Sequence, residues 1–226
     1  MAKAEEYQKK EGELFEEEVI GNEEISPGVF LLSVKRRFDF WPGQVVKLAV
    51  DREHPPRIYS ICSGNREDLL KVLFNVKPGG YLTPRMASLA AGDNVLLSNP
   101  YGGFRGNEET AWWIAAGTGI APFYSMFRSG LGKDKVLIHG ASFLNQFYFD
   151  HELKASLKNN YHRCCSREQS GEVFSGRVTD YLRGLDNLPP DVRYFICGKA
   201  LMVVEVRDLL IEKGIAYDQV VGEIYF

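Results

Sequence analysis

Three short segments hold residue types that could do chemistry. Ala115-Ala116-Gly117-Thr118-Gly119-Ile120-Ala121-Pro122 ends an apolar run and opens a stretch of helical length. Glycines there let the backbone approach a ligand, and the first amides of a helix favour an anion. Pro122 stands where a Rossmann fingerprint has its third glycine, so this is not that fingerprint. Alone, the segment also reads as an ordinary Gly-rich turn. The second segment is Arg57-Ile58-Tyr59-Ser60-Ile61-Cys62-Ser63. As a strand it puts Arg57, Tyr59, Ile61 and Ser63 on one face and Ile58, Ser60 and Cys62 on the other. An Arg with nearby hydroxyls suits a phosphate, and Tyr59 could cover a flat ring. A surface strand with an incidental Arg gives the same pattern. The third is Thr83-Pro84 behind Pro78-Gly79-Gly80, a loop whose amides could face an anion, or a simple turn and cap.

These segments lie in two different textures of chain. From Leu14 to about Phe104, short β-like runs are separated by turn residues: Val29–Val34, Gln44–Val50, Arg57–Cys62, Leu69–Val76 and Asn94–Ser98. Such spacing predicts an antiparallel barrel or sandwich. One helix fits inside this half, with Thr83 as N-cap, Pro84 at the first helical position and Gly92 past the end. After Gly102-Gly103-Phe104 the rhythm changes. Apolar runs at Trp112–Ala116, Val136–Gly140, Tyr161–Ser166, Tyr194–Gly198 and Val220–Tyr225 alternate with helical lengths, which predicts a parallel sheet covered by helices. In the helix after Gly198, Met202, Val206, Leu209 and Leu210 recur at helical spacing, and Gly214 ends it. The junction near Arg105–Thr110 is short, so two closely packed domains sharing a site are expected.

Composition narrows the function class. The 226 residues are 45% hydrophobic and 25% charged, with net charge −3. That balance fits a globular protein with a core and argues against nucleic-acid binding, which normally needs a basic excess. No apolar run approaches the ~20 residues of a membrane span. The stretch Met1–Gly12 is charged and lacks a signal-peptide core, so a disordered tail and a cytoplasmic location are expected. Cys62, Cys164, Cys165 and Cys197 show no zinc or cluster spacing, and a disulfide framework is not expected in this setting. Redox chemistry would therefore need an organic cofactor, and no metal is expected.

Together the three segments resemble the ferredoxin–NADP reductase superfamily. Its R-x-Y-S-x-x-S strand matches Arg57–Ser63, its G-x-x-S/T loop matches Gly80–Thr83, its G-T-G-I-A-P turn matches Gly117–Pro122, and its late C-G pair matches Cys197-Gly198. The match covers about Leu14–Phe226 and is strongest to bacterial ferredoxin (flavodoxin)–NADP reductases. The resemblance implies an antiparallel six-stranded flavin-binding β-barrel with one capping helix over 13–106. A parallel-sheet α/β domain for NADP would span 107–226. It implies bound FAD held by Arg57, Tyr59, Ser60, Ile61, Cys62 and Ser63, with Gly80, Tyr81, Leu82 and Thr83 completing the pyrophosphate cradle. Gly117, Thr118, Gly119 and Gly198 would meet NADP(H), the substrate nucleotide. Ser60 would lie near the flavin atom that receives hydride, and Cys197 near the nicotinamide carbon that gives it up.

The resemblance carries three finer expectations. Gly222-Glu223-Ile224-Tyr225-Phe226 matches the acidic and aromatic close of the family. It implies Glu223 beside the Ser60–Cys197 centre, Tyr225 stacked on the flavin ring, and Phe226 over the FAD adenine. Ser166-Arg167 and Arg177 match a clasp for the nucleotide's 2′-phosphate, which favours NADP over NAD. Ser142-Phe143 stands where bacterial members often add another Arg. No cluster-binding cysteines are present, so electrons are expected to pass to a separate ferredoxin or flavodoxin. Lys35, Arg36, Arg37, Lys71 and Lys77 are candidates for a basic rim toward an acidic carrier. A flavin reductase that releases its flavin, or an electron-transfer subunit of a larger complex, are the alternatives. Oligomeric state is left open, with a monomer as the default.

Overall fold

The computed structural model describes residues 13–225. Phe226 and residues 1–12, with the expectations placed on them, lie outside that range. The chain divides into two compact units between Arg105 and Gly106.

In the first unit six strands form one sheet: β1 (Leu14–Ser26), β2 (Val29–Lys35), β3 (Val45–Ala49), β4 (Arg57–Ser60), β5 (Leu69–Asn75) and β6 (Asn94–Ser98). Every pairing is antiparallel, in the order β4-β3-β6-β1-β2-β5. Just past β4, a bridge between Ile61 and Val72 and a 2.8 Å bond from Cys62 N–H to the Lys71 carbonyl bring the two sheet ends together. This closes the sheet as a barrel and removes its open edges. The core is built from Val46, Leu48, Ile61, Val72, Phe74 and Leu97, and Met86 plugs it from α1 (Leu82–Ala87). Alternation explains most of these choices, since inward residues recur at every second position.

β1 is 13 residues long and is absent from the apolar runs legible in the sequence. Its inward position Glu17 breaks the hydrophobic alternation. That carboxylate is 1% exposed and pairs at 2.8 Å with the half-exposed Arg37. Burial pushes the Glu17 carboxyl above its usual range, with Arg37 acting in the opposite direction. Helix α1 starts two residues earlier than expected, at Leu82, so Thr83 is inside the helix rather than capping it. The Thr83 hydroxyl instead accepts the Lys77 N–H at 2.8 Å, tying the Pro78-Gly79-Gly80 turn to the helix.

The second unit is a six-stranded parallel sheet of β7 (Ala111–Ala116), β8 (Lys135–Ala141), β9 (Tyr161–Cys165), β10 (Phe174–Ser175), β11 (Arg193–Lys199) and β12 (Val220–Tyr225). Its order is β10-β9-β8-β7-β11-β12. The two-residue β10 is not foreseen by the alternation of apolar runs. Helices α2 (Ala121–Met126), α3 (Asp150–Leu157), α4 (Val178–Arg183) and α5 (Ala200–Glu212) connect the strands. Ile114, Ile138, Cys164 and Ile196 from the sheet pack with Val178 and Leu182 of α4 and Val203, Val206, Leu209 and Leu210 of α5. Buried on both faces, these strands read as continuous apolar runs, as parallel sheets do. From β7 the chain steps outward through β8, β9 and β10, then returns to β11 on the other side of β7. Order reverses between β7 and β11, and ligands of open α/β sheets bind beyond the strand ends at that point.

Among the described residues no helix is long and apolar enough to cross a membrane, and no group of three or more His, Cys, Asp or Glu side chains could hold a metal ion. All four cysteines are buried and free of disulfides.

Candidate functional site

The reversal point of the second unit is where the Gly-rich turn lies. Beyond β7, Gly117–Ile120 form a tight 3-10 turn that leads into α2. Gly117 has φ +57, a left-handed conformation open to glycine at little strain. Gly119 is required for a different reason. A Cβ on it would stand 2.2 Å from the Cys197 carbonyl oxygen and 3.0 Å from the Gly198 Cα. The turn is therefore seated directly on the end of β11, with backbone against backbone. Thr118 is half-buried beside it.

Cys197 lies at that strand end, fully buried, and pairs in register with Glu223 of β12 on one side and Ala115 of β7 on the other. Burial and the Glu223 carboxylate push its thiol well above the usual range, while a side-chain hydrogen bond with Tyr225 pulls the other way. The thiol is thus kept protonated. Three of the expected catalytic residues, Cys197, Glu223 and Tyr225, stand together on neighbouring strands of one sheet.

The residues expected to clasp a phosphate follow the far ends of β8 and β9. Ser166 N–H donates to the Ala141 carbonyl and Arg167 N–H to the Ser142 carbonyl, each at 3.1 Å, so the chain after β9 runs alongside the loop after β8. Arg167 is exposed, its guanidinium 5.6 Å from the Phe143 ring centre. Arg177 is the residue just before α4; its N–H donates to Asp180 at 2.9 Å and its guanidinium has no ion pair among the described residues. Asp180 is shared instead with Arg183 at 3.1 Å. The sheet brings Ser166, Arg167 and Arg177 to the same end as Gly117–Gly119, because parallel strands all finish on one edge.

In the first unit, β4 presents an exposed Arg57 with no ion pair among the described residues, a half-buried Tyr59 and a buried Ser60. Tyr59 meets Phe74 edge-on at 6.5 Å, and its phenol is pushed up to about 12 by burial, against the pull of Arg57. Ile61 belongs to the barrel core. Cys62 is buried, and that burial raises its thiol far above the usual range. Ser63 is 1% exposed and its hydroxyl accepts the Lys71 N–H at 3.1 Å, so it helps to close the barrel.

Tyr81, before α1, belongs to a cluster that the sequence does not announce. His54 stacks on its ring at 3.4 Å between centres, and the Arg85 guanidinium lies 3.8 Å from the ring centre. Its hydroxyl donates to Asp51 at 2.5 Å, and that bond, with His54, holds the Asp51 carboxyl far below the usual range. Asp51, His54 and Arg85 thereby fix the Gly80–Thr83 loop. No motif signals them: Asp51 and His54 are brought to Tyr81 only by the turn between β3 and β4, and Arg85 by the first turn of α1. The β3–β4 turn also lines an open cleft of about 470 Å³ with Glu13 and Leu14.

The expected basic rim is largely neutralised. Arg36 pairs with Asp39, Arg37 with Glu17 and Lys71 with Glu67, which leaves Lys35 and Lys77 without an ion pair among the described residues.

Residues 113–208 match the family model of the oxidoreductase NAD-binding domain. The chain is 29% identical over 213 residues to a toluate 1,2-dioxygenase electron transfer component of Pseudomonas putida, covering 85% of this chain and 62% of that one. It is 29% identical over 193 residues to a flavodoxin/ferredoxin–NADP reductase of Escherichia coli, covering 74% of this chain and 77% of that one. Among solved structures, a ferredoxin NADP+ reductase from Neisseria gonorrhoeae with bound FAD and NADP superposes with a TM-score of 0.85 at 23% identity, over 95% of this chain and 100% of that one. The chain thus spans less than two thirds of the toluate dioxygenase component. Family model, relatives and fold agree with the motifs in the sequence: residues 113–208 match an oxidoreductase NAD-binding domain, and over most of its length the chain is similar to proteins named ferredoxin or flavodoxin–NADP reductases and shares their fold.

Proposed function

We propose that the protein is an FAD-dependent reductase that oxidises NADPH and delivers electrons to a ferredoxin or flavodoxin, with residues 13–106 holding the flavin and 107–226 the nucleotide. The observation that carries this reading is the reversal point of the parallel sheet, where a glycine turn sits on the Cys197 carbonyl and Cys197 is flanked by Glu223 and Tyr225. The residues present fit both groups. An uncompensated Arg57 and the fixed Gly80–Thr83 loop suit a pyrophosphate, and the turn over β11 leaves backbone amides for a second one. A bound flavin would supply the step between two-electron and one-electron chemistry.

The chain's own residues bind and orient. Arg57, with Tyr81, Leu82 and Thr83, would hold the FAD pyrophosphate, while Tyr59, Ile61, Cys62 and Ser63 shape the strand that carries Ser60. Gly117, Thr118 and Gly119 would admit the nucleotide's pyrophosphate, with Gly198 leaving space at the end of β11. The Cys197 thiol, held protonated by burial and by Glu223, would orient the nicotinamide without competing as a nucleophile. Tyr225 would cover the site until the nucleotide arrives. Arg167 and Arg177 are two uncompensated cations for a 2′-phosphate, which supports NADPH. The buried, unbridged cysteines suit a reducing compartment such as the cytoplasm.

A second reading is favoured by the toluate dioxygenase relative, an electron transfer component, and by the absence of an arginine at Ser142-Phe143. In it the protein serves an oxygenase and accepts NADH. Anaerobic mixing of the flavin-loaded protein with NADPH and, separately, NADH discriminates the two. Fast bleaching by NADPH and slow bleaching by NADH is expected; fast bleaching by NADH alone overturns the nucleotide assignment, and a colourless protein that binds no flavin overturns the reading as a whole.

A further inference from the structure

The loop after β8 holds an aromatic residue in an unusual setting. Phe143 is 37% exposed at the ligand-facing end of the parallel sheet. Its backbone is fixed: Ser142 N–H and Phe143 N–H both donate to the Gln146 side-chain oxygen at 3.2 and 3.3 Å, and Gln146 N–H returns to the Phe143 carbonyl at 3.0 Å. The segment after β9 is bound to it from the other side. The Arg167 N–H reaches the Ser142 carbonyl, and Glu168 accepts the Leu144 N–H at 2.6 Å. Between these ties, the Arg167 guanidinium stands 5.6 Å from the Phe143 ring centre.

The consequence lies in how guanidinium donors are arranged. A cation–π contact at this distance uses none of the guanidinium's hydrogen bonds and leaves its N–H donors available for bidentate bonding. Glu168, the nearest acidic neighbour in sequence, is engaged by the Leu144 amide, and no described carboxylate forms an ion pair with Arg167. The cation is thus held in place without being neutralised.

We propose that Phe143 is a positioning residue for nucleotide selection: its ring holds the Arg167 guanidinium in place, so that its free N–H donors meet a ribose phosphate monoester. This rests on the NADPH reading above. It also gives the Ser142-Phe143 loop a part in the same selection.

The test is calorimetric titration of the flavin-loaded protein with 2′-phospho-AMP and with AMP. Phe143→Leu is expected to weaken 2′-phospho-AMP by about two- to five-fold, the range of an exposed cation–π contact, and to leave AMP unchanged. Phe143→Tyr is expected to restore the parent value, and Phe143→Leu is expected to add nothing once Arg167→Gln is in place. Equal weakening of both ligands, no change in either, or additivity with Arg167→Gln would overturn the positioning role. If Arg167→Gln removes the preference for 2′-phospho-AMP while Phe143→Leu does not, only this inference falls. If the parent protein does not prefer 2′-phospho-AMP, the NADPH reading falls and this inference falls with it.

Discussion

Replacing Gly119 by Ala is the most demanding test of how the Gly117–Ile120 turn is built. The new Cβ would lie 2.2 Å from the Cys197 oxygen and 2.7 Å from its carbonyl carbon. The shortest usual C···O approach is about 3.3 Å, so the turn and β11 must separate by roughly 1 Å. Neither partner is the end of a flexible side chain, so no rotamer change relieves the contact. Overpacking costs about 1–3 kcal/mol in a core, and a backbone-on-backbone clash belongs at or above the upper end. At about 4 °C per kcal/mol for a unit of this size, the melting transition of the second unit should fall by about 12 °C. Gly117→Ala is the control, since Gly117 has φ +57 and a Cβ added there would meet nothing within 4 Å. It should cost only the left-handed strain, about 1 kcal/mol. Differential scanning calorimetry of the flavin-loaded proteins reads both. A Gly119→Ala protein melting within about 2 °C of the parent, equivalent to about half a kcal/mol, would refute the close-approach argument.

Other outcomes follow from the same geometry. Arg57→Gln should release flavin, with retention on gel filtration read by absorbance near the flavin band and a loss of about ten-fold in affinity for one charge-assisted phosphate contact; unchanged retention removes Arg57 from the flavin site. Cys197→Ala should slow flavin reduction in stopped-flow mixing with NADPH while leaving flavin bound, and unaltered rates would end its orienting role. The buried His139 provides a pH test. Its Nδ1 lies 3.0 Å from the Tyr161 hydroxyl, and burial, assisted by Arg163, lowers its titration to about 3. Because the folded value lies below the unfolded one, the unfolded chain takes up a proton first as pH falls. The contribution is therefore complete above pH 6.5 and is lost progressively down to about 3. Between pH 7 and 5 this amounts to about 2 kcal/mol, which His139→Gln should abolish. Urea denaturation of both proteins at the two pH values measures it, and an identical pH dependence would show that His139 is not the group responsible.

The sequence singled out candidate site residues and determined in what order two kinds of folding unit follow one another. Alternating runs with Gly and Pro turns announce antiparallel strands, and apolar runs separated by helical lengths announce a parallel sheet. Both are local periodicities, and local periodicity is legible along a chain. Leu14–Ser26 escaped this reading because Glu17 faces inward and is compensated by Arg37, a partner distant in sequence that alternation does not reveal. The start of α1 shifted because Thr83 is used by the Lys77 amide rather than as a cap. Tertiary structure alone decided that Gly119 is needed for its closeness to Cys197, that Cys197 stands between Ala115 and Glu223, and that Tyr81 is clasped by Asp51, His54 and Arg85. It also decided that the Arg167 guanidinium stands near the Phe143 ring. Most of those relations join residues distant in sequence through strand order and register, which are set by the packing of the whole sheet and have no signature in any short window.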